Sequence, residues 1–321
     1  MRDGVRNINI RYDLNEIANL IELCFGTVLD ASGRAAIREM RSLSRSGPLL
    51  WLISWFSMNS VSWAYGSVYE DSGTIVGNIG AQPLDSQMHN WLIANVAVHP
   101  DYRRRGIARK LVNMTLNRIK NQGARRVILQ VDDDNVDAIN LYQQLGFNTF
   151  VIRNLWKGSN KVDFADSSLA SHMTLRPALY SDWAFEYKFL QQNSPEGITW
   201  TAPLQIEQLR PSFWRDISVV MSGNKEKRWI LFDDDTKIGW LYILTGTNNT
   251  VQVRWIVSSD YGIDVDHKLF CYALNELTTN KWDVLIEHPD GEINQLMRGK
   301  GFKQTRTLQW MELVFFEQEY L

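Results

Sequence analysis

Three arginines followed by glycine, Arg103-Arg104-Arg105-Gly106-Ile107-Ala108, form the stretch of this 321-residue chain whose composition points most directly to chemistry. If the stretch joins the end of a strand to the first turn of a helix, it makes an anion site. Backbone N–H groups at a helix start have no intrahelical partner and lie at the positive end of the helix dipole, so a diphosphate can take several hydrogen bonds there. Gly106 and Ala108 keep side chains out of the way, and the arginines add charge. A basic, glycine-containing loop is by itself weak evidence, since arginine-rich helix starts are often solvated surface.

The elements that must position this loop can be read on either side of it. Trp91 to Val98 is an almost wholly apolar run, as expected of a strand buried on both faces, and it ends at His99-Pro100. From Gly106 to Gln122, Ala108, Leu111, Val112, Thr115 and Ile119 recur at helical spacing, and Gly123 can close the helix. A strand over 126–131 then leads into Asp132-Asp133-Asp134, and Asn135 is placed to cap a helix over 136–145 with Gly146 beyond its end. A closing strand is expected over 147–154. Upstream, the pattern predicts a strand at 8–11, a helix from Asp13 to Cys24, a polar helix near 33–43, and a hairpin of strands 66–70 and 74–83 around Asp71-Ser72-Gly73. The aromatic stretch with Trp51, Trp55, Phe56 and Trp63 gives no readable period.

The run from Asn95 to Ala108 resembles the acetyl-CoA motif of the GCN5-related N-acetyltransferases (the GNAT superfamily), whose signature is Gln/Arg-x-x-Gly-x-Gly/Ala. Arg103, Gly106 and Ala108 match it. Asn135-x-x-Ala138-x-x-Leu141-Tyr142-x-x-Leu145-Gly146-Phe147 is similar to that family's second conserved block. The resemblance covers residues 92 to 150, and 5 to 83 agree in element order only. It implies acetyl-CoA as co-substrate and direct transfer to a primary amine in a ternary complex. Val96, Ala97 and Val98 would hold the pantetheine arm through backbone groups, with a Val96 contact also stabilising the oxyanion. The pyrophosphate would lie on Arg103, Arg104, Arg105, Gly106, Ile107 and Ala108, and Asn135, Ala138 and Tyr142 would meet the cofactor from the second block. Tyr142 matches the tyrosine that protonates the departing thiolate in many members; on spacing alone it is an ordinary packing aromatic.

No acid stands in 92–98, where many relatives carry a glutamate, so the general base is left unassigned, with Asp132 and His99 as weak candidates that read first as surface or capping residues. Cys24 falls on the apolar stripe of the first helix and reads as core.

The second half repeats the order of the first at a spacing of about 155 residues. Strands are expected at 173–176, 229–232, 238–244, 251–257 and 282–287, with helices opening at Ser181-Asp182 and over 265–277. Val257-Ser258-Ser259-Asp260-Tyr261-Gly262-Ile263 aligns with the loop region but lacks the arginines, and Met297 stands where Tyr142 does. The fold expected is α/β (α+β), two tandem GNAT-like domains, each a mixed, mostly antiparallel sheet flanked by helices. The first would span 1–156, a linker 157–170, and a degenerate copy without the cofactor motif 171–321.

Bulk properties agree with this reading. The chain is 45% hydrophobic and 22% charged, with a net charge of −2; residues 1–165 carry 19 Lys+Arg against 15 Asp+Glu, and 166–321 carry 15 against 21. That balance suits a small anion better than nucleic acid. Two cysteines, one per half, form neither a disulfide framework nor a metal cluster, so no metal is expected. Met1-Arg2-Asp3-Gly4 lacks an apolar signal core, so a cytoplasmic protein with no membrane segment is expected. Two other classes stay open: a non-catalytic acyl-CoA sensor, made possible by the missing base, and a tRNA-dependent aminoacyl transferase, which would need a broad basic face. The acceptor and the oligomeric state are not readable.

Overall fold

The computed structural model describes residues 3–26, 31–45, 65–85, 87–160, 169–193, 206–212, 215, 223–246, 249–277 and 282–315. The aromatic stretch from Trp51 to Trp63 lies outside the described residues. By internal contacts the chain divides into two units, one of Met1–Val131, Asn135–Phe150 and Trp310–Leu321, the other of Asp132–Asp134 and Val151–Gln309.

In the first unit the order is β1 (Gly4–Asn7), α1 (Leu14–Phe25), α2 (Ala31–Arg45), β2 (Ser67–Asp71), β3 (Thr74–Pro83), β4 (Asn90–Val98), α3 (Ile107–Lys120), β5 (Arg126–Asp132), α4 (Val136–Gln144) and the start of β6 (Asn148–Ser159). β1 to β4 pair antiparallel in sequence order and β4 pairs parallel with β5. Ser72 and Gly73 both have positive φ, 50° and 82°, which is the two-residue turn whose twist matches the β2–β3 hairpin. The sheet is covered on both faces. One carries α1, through Leu14, Ile17, Ala18, Leu20 and Ile21 against Val68, Ile75 and Ala97; the other carries α3, through Ile107, Leu111, Val112, Leu116 and Ile119 against Val76, Ile79, Val127 and Leu129. Leu111 is fully buried, so its truncation to alanine costs about 2–5 kcal/mol.

The second unit runs β7 (Met173–Pro177), α5 (Trp183–Asn193), β8 (Lys225–Asp233), β9 (Thr236–Thr245), β10 (Thr250–Val257), α6 (Ile263–Asn275), β11 (Asp283–Pro289), α7 (Ile293–Gly299) and β12 (Lys303–Val314). Its pairing repeats the first: β7 to β10 antiparallel in order, then β10 parallel to β11. A polar signature repeats as well. Arg6 donates to both oxygens of Asp13, at 2.6 and 3.0 Å, and the backbone N–H of Asn9 donates to Oδ2 of Asp13 at 2.6 Å. Arg176 grips Asp182 at 2.7 and 3.0 Å, and Leu179 N–H donates to Oδ2 of Asp182 at 2.8 Å. The Arg176 guanidinium holds the Asp182 carboxyl well below the usual carboxylate range. Trp229, Trp240 and Trp255 are core residues.

Three expectations are corrected. The first strand is Gly4–Asn7 and not 8–11, because Asn9 begins a turn whose carbonyl accepts from Tyr12 and Asp13. The boundary at 156 falls inside β6, which runs to Ser159 and therefore takes the first residues of the expected linker; 161–168 of that linker lie outside the described residues. The third concerns which strand closes each unit. Residues 153–159 of β6 pair antiparallel with β11 in the second unit, whereas Trp310 to Phe315, much later in the sequence, belong to the first. There Met311 is fully buried, Arg126 Nε donates to Glu312 Oε2 at 2.6 Å, and Phe315 N–H donates to Arg125 O at 2.7 Å. Hydrophobic pattern identifies a strand but not the sheet it joins, and sequential pairing is only the commoner outcome.

Candidate active site

β4 and β5 pair over Asn90–Ile93 with Arg126–Leu129 only, and beyond that point they part. The β5 side of β4 from Ala94 onward therefore has no strand partner there. Ala94, Asn95 and Val96 become half-buried just where the strand leaves its neighbour, although Trp91, Leu92 and Ile93 before them are buried. On the other edge of β4 the register with β3 slips: Asn78 faces Ala97 while Gly80 faces Ala94, so two residues, Asn95 and Val96, oppose Ile79 alone. This is a β-bulge, and Asn95 takes a left-handed backbone with φ of 54° to make it. A non-glycine residue held there is strained by about 1–2 kcal/mol, a cost that recurs at ligand sites.

The arginine loop follows a short 3₁₀ turn at Pro100–Tyr102, capped by His99, whose Nδ1 accepts from Asp101 N–H at 3.3 Å. Arg104 and Gly106 are both left-handed, with φ of 63° and 75°, and Gly106 is the N-cap of α3. Alternating left-handed residues at a helix start turn successive N–H groups toward one point, which is an anion-binding concavity. A Cβ built on Gly106 would meet no atom within 4 Å, so the space over the loop is open. The three guanidiniums diverge. Arg103 Nε turns back to Val98 O at 3.3 Å; Arg104, exposed, pairs with Asp137 at 2.6 Å; Arg105 donates to Asp101 O at 2.9 Å and lies 4.7 Å over the Tyr102 ring.

Asn135 caps α4, its side chain accepting from Ala138 N–H at 3.2 Å, and Gly146 closes it with φ of 91°. Tyr142 is buried against Phe147 in the cluster that Ala138, Val96 and Val98 border. Burial pushes its phenol above the ordinary tyrosine value. The fold thus brings Val96, Val98, Ile107, Ala138 and Tyr142 to one apolar cluster, while Ala97 faces the α1 side.

The base candidates are otherwise engaged. Both oxygens of Asp132 accept from Arg306 at 2.9 Å, and His99 is the cap of the 3₁₀ turn. Cys24 is half-buried, donates from Sγ to Val98 O at 3.4 Å, and has its thiol pushed up by burial, which disfavours the nucleophilic thiolate. Sequence reasoning missed two residues. Asn78, 1% exposed, donates from Nδ2 to Asn95 O at 3.0 Å and leaves Oδ1 buried with no donor. Gln130, next to the last β4–β5 pair, leaves Oε1 buried and unpaired. Polar residues in otherwise apolar strands were the available signal.

Residues 30–147 match the family model described as "Acetyltransferase (GNAT) family". Over these residues the chain is similar to the GNAT superfamily. Among curated proteins, the [ribosomal protein bS18]-alanine N-acetyltransferase of Escherichia coli K12 is 41% identical over 59 residues, 18% of this chain and 40% of that protein; the chain thus spans about two fifths of that relative's length. The GCN5-related N-acetyltransferase of Sphaerobacter thermophilus superposes over 97% of this chain and 95% of its own with a TM-score of 0.60 at 14% identity. A tandem GNAT protein from the clavulanic acid biosynthesis pathway superposes over 98% of both chains with a TM-score of 0.55 at 13% identity. These whole-length likenesses establish two GNAT-like folds in tandem.

The GNAT-like second unit keeps the parting strands, since β10 and β11 pair only over Thr250–Val253, but loses what makes the site. β10 runs in unbroken register with β9 from Val251 to Val257, without a bulge. Trp255, at the place of Val96, is buried beside Phe270 and His288 and donates from Nε1 to Asp266 on α6 at 2.9 Å. The helix cap Gly262 is extended, not left-handed, and Asp264 and Asp266 occupy the first turn of α6.

Proposed function

We propose that the first unit is an N-acetyltransferase that binds one acetyl-CoA per chain and transfers its acetyl group to a primary amine in a ternary complex. The observation carrying this reading is the conjunction of the bulged, half-open β4 with the doubly left-handed loop at the start of α3. The loop suits a pyrophosphate, because its N–H groups converge without a side chain at Gly106. The β5-facing edge of β4 beyond Ile93 suits the pantetheine amides, which would take the place of the missing strand. When bound, acetyl-CoA supplies an acyl group activated as a thioester. The Val96 amide polarises its carbonyl. As the amine nitrogen forms the C–N bond and the C–S bond breaks, one N–H proton leaves to water and sulfur takes one from Tyr142, which water then replenishes. A tyrosine phenol is protonated at neutral pH and burial raises it further, while the same low dielectric strengthens the thiolate as a base.

The deprotonated amine is the reactive form, and with Asp132 held by Arg306 its proton goes to solvent and not to Asp132. The filled, acidic loop region of the second unit supports its being non-binding. Calorimetry at physiological salt, joined to a screen of peptide N-termini, polyamines and amino sugars for amine-dependent thiol release, tests this. Tyr142→Phe should lose about 10²–10⁴-fold in kcat. No acetyl-CoA binding by the wild type sinks the proposal; tight binding without turnover of any amine establishes a sensor instead.

A further inference from the structure

We infer that Asn78 is a positioning residue that aims the oxyanion-binding amide of β4. The inference rests on the acetyl-CoA reading above and adds a residue that neither motif contains. In a planar trans peptide the C=O and the following N–H point in opposite directions. The Asn95 carbonyl is drawn toward β3, because Asn78 Nδ2 donates to it at 3.0 Å. The Val96 N–H of the same peptide therefore points away from β3, toward the opening between β4 and β5. One side chain on the neighbouring strand thus fixes the orientation of the group that must meet the thioester carbonyl.

Two further facts favour a functional reason for this carboxamide over a packing one. Asn95 is strained in a left-handed conformation, and the bulge that exposes Val96 exists only while that strain is held; the hydrogen bond from Asn78 is the side-chain contact that restrains it. Asn78 is also a costly choice for the interior. It lies on a strand whose neighbours Val76, Gly77 and Ile79 are buried, it is 1% exposed, and its Oδ1 has no donor, an arrangement that an apolar side chain would avoid. The second unit supplies an internal comparison. The register that aligns Gly77 with Gly239 puts Trp240 where Asn78 stands, and there β10 has neither bulge nor positive φ.

The test uses the full chain loaded with acetyl-CoA labelled with carbon-13 at the thioester carbonyl, read by difference infrared spectroscopy, so no acceptor is needed. In the wild type the bound carbonyl should absorb at lower wavenumber than in free acetyl-CoA. In Asn78→Leu and in the isosteric Asn78→Asp, which turns the donor facing Asn95 O into an acceptor, that displacement should vanish while the acetyl-CoA Kd changes by less than about threefold, the phosphate loop being untouched. Where an amine substrate has been found, kcat should fall about 10²-fold, the scale for losing one preorganised oxyanion donor. Asn78→Asp keeps size and shape, so it reports even if Asn78→Leu misfolds. A wild-type displacement that survives in both folded variants overturns the inference, as does a loss of acetyl-CoA binding equal to the loss of the displacement. Failure of the wild type to bind acetyl-CoA overturns the acetyl-CoA reading itself, a distinguishable result.

Discussion

Replacing Gly106 by alanine should damage ligand binding far more than stability, and a second glycine in the same chain provides the control. Gly106 has φ of 75° and Gly123, at the other end of α3, has φ of 91°; a Cβ on either would meet nothing within 4 Å. Alanine at each position therefore pays the same backbone penalty, about 1–2 kcal/mol, with no clash. For a unit of this size that lowers Tm by about 2–8 °C in both variants. Binding should separate them. At Gly106 the methyl group projects into the open space over the loop and pushes a phosphate off at least one N–H, and a charge-assisted hydrogen bond is worth about 1.5–3 kcal/mol. The Gly106→Ala Kd for acetyl-CoA should rise roughly 10–150-fold, and the Gly123→Ala Kd should stay within about twofold. Calorimetric titration beside differential scanning of the same samples gives both quantities. Equal Kd values in the two variants, with equal Tm losses, would refute the assignment of the phosphate to this loop.

Other perturbations reach different parts of the molecule. Arg104→Ala with Arg105→Ala should leave Tm within about 1 °C, since an exposed ion pair such as Arg104–Asp137 contributes at most about 1 kcal/mol, but should weaken acetyl-CoA binding and flatten its dependence on salt. Truncation after Gln309 removes the buried Trp310 and Met311 from the first unit, each worth about 1.5–3 kcal/mol, and should abolish its cooperative unfolding transition by circular dichroism. Burial lowers His288 to about 4, with the Arg153 guanidinium adding to the effect. Since the unfolded imidazole titrates near 6.5, stability is present above about pH 6.5 and is lost as pH falls toward 4, by on the order of 3 kcal/mol. Urea denaturation at pH 7 and pH 4.5 should show that slope, and His288→Gln should flatten it.

The parts of the fold that sequence made legible are those where side chain and backbone speak together. Asn135 and Gly146 bracket α4 as their types require, Asp71-Ser72-Gly73 makes its turn, and the apolar stripe from Leu111 to Ile119 seats α3. The illegible parts are those decided by partners distant in sequence. Nothing in Asn95-Val96 announces a bulge, since asparagine in an apolar run reads equally as a tolerated polar residue, and the hydrogen bond that stabilises it comes from Asn78, seventeen residues away. The alternation in Asn7-Ile8-Asn9-Ile10 suggests a strand, yet Asp13 and Arg6 pull this stretch into a turn. Two of the three arginines are tied back to backbone carbonyls of their own loop, a commitment that a run of like residues cannot reveal.

The closing of the first unit by Trp310 to Phe315 has a consequence for how the protein is made. A ribosome adding about 5–20 residues per second needs roughly 9–36 s to travel from the end of β5 to Trp310. Throughout that interval the nascent first unit presents an unpaired strand edge at β5, the kind of surface on which other chains can add. Completion of the first unit thus waits on a segment made long after its motifs, and a message cut short before Trp310 yields a polypeptide with every motif residue and no finished sheet to hold them.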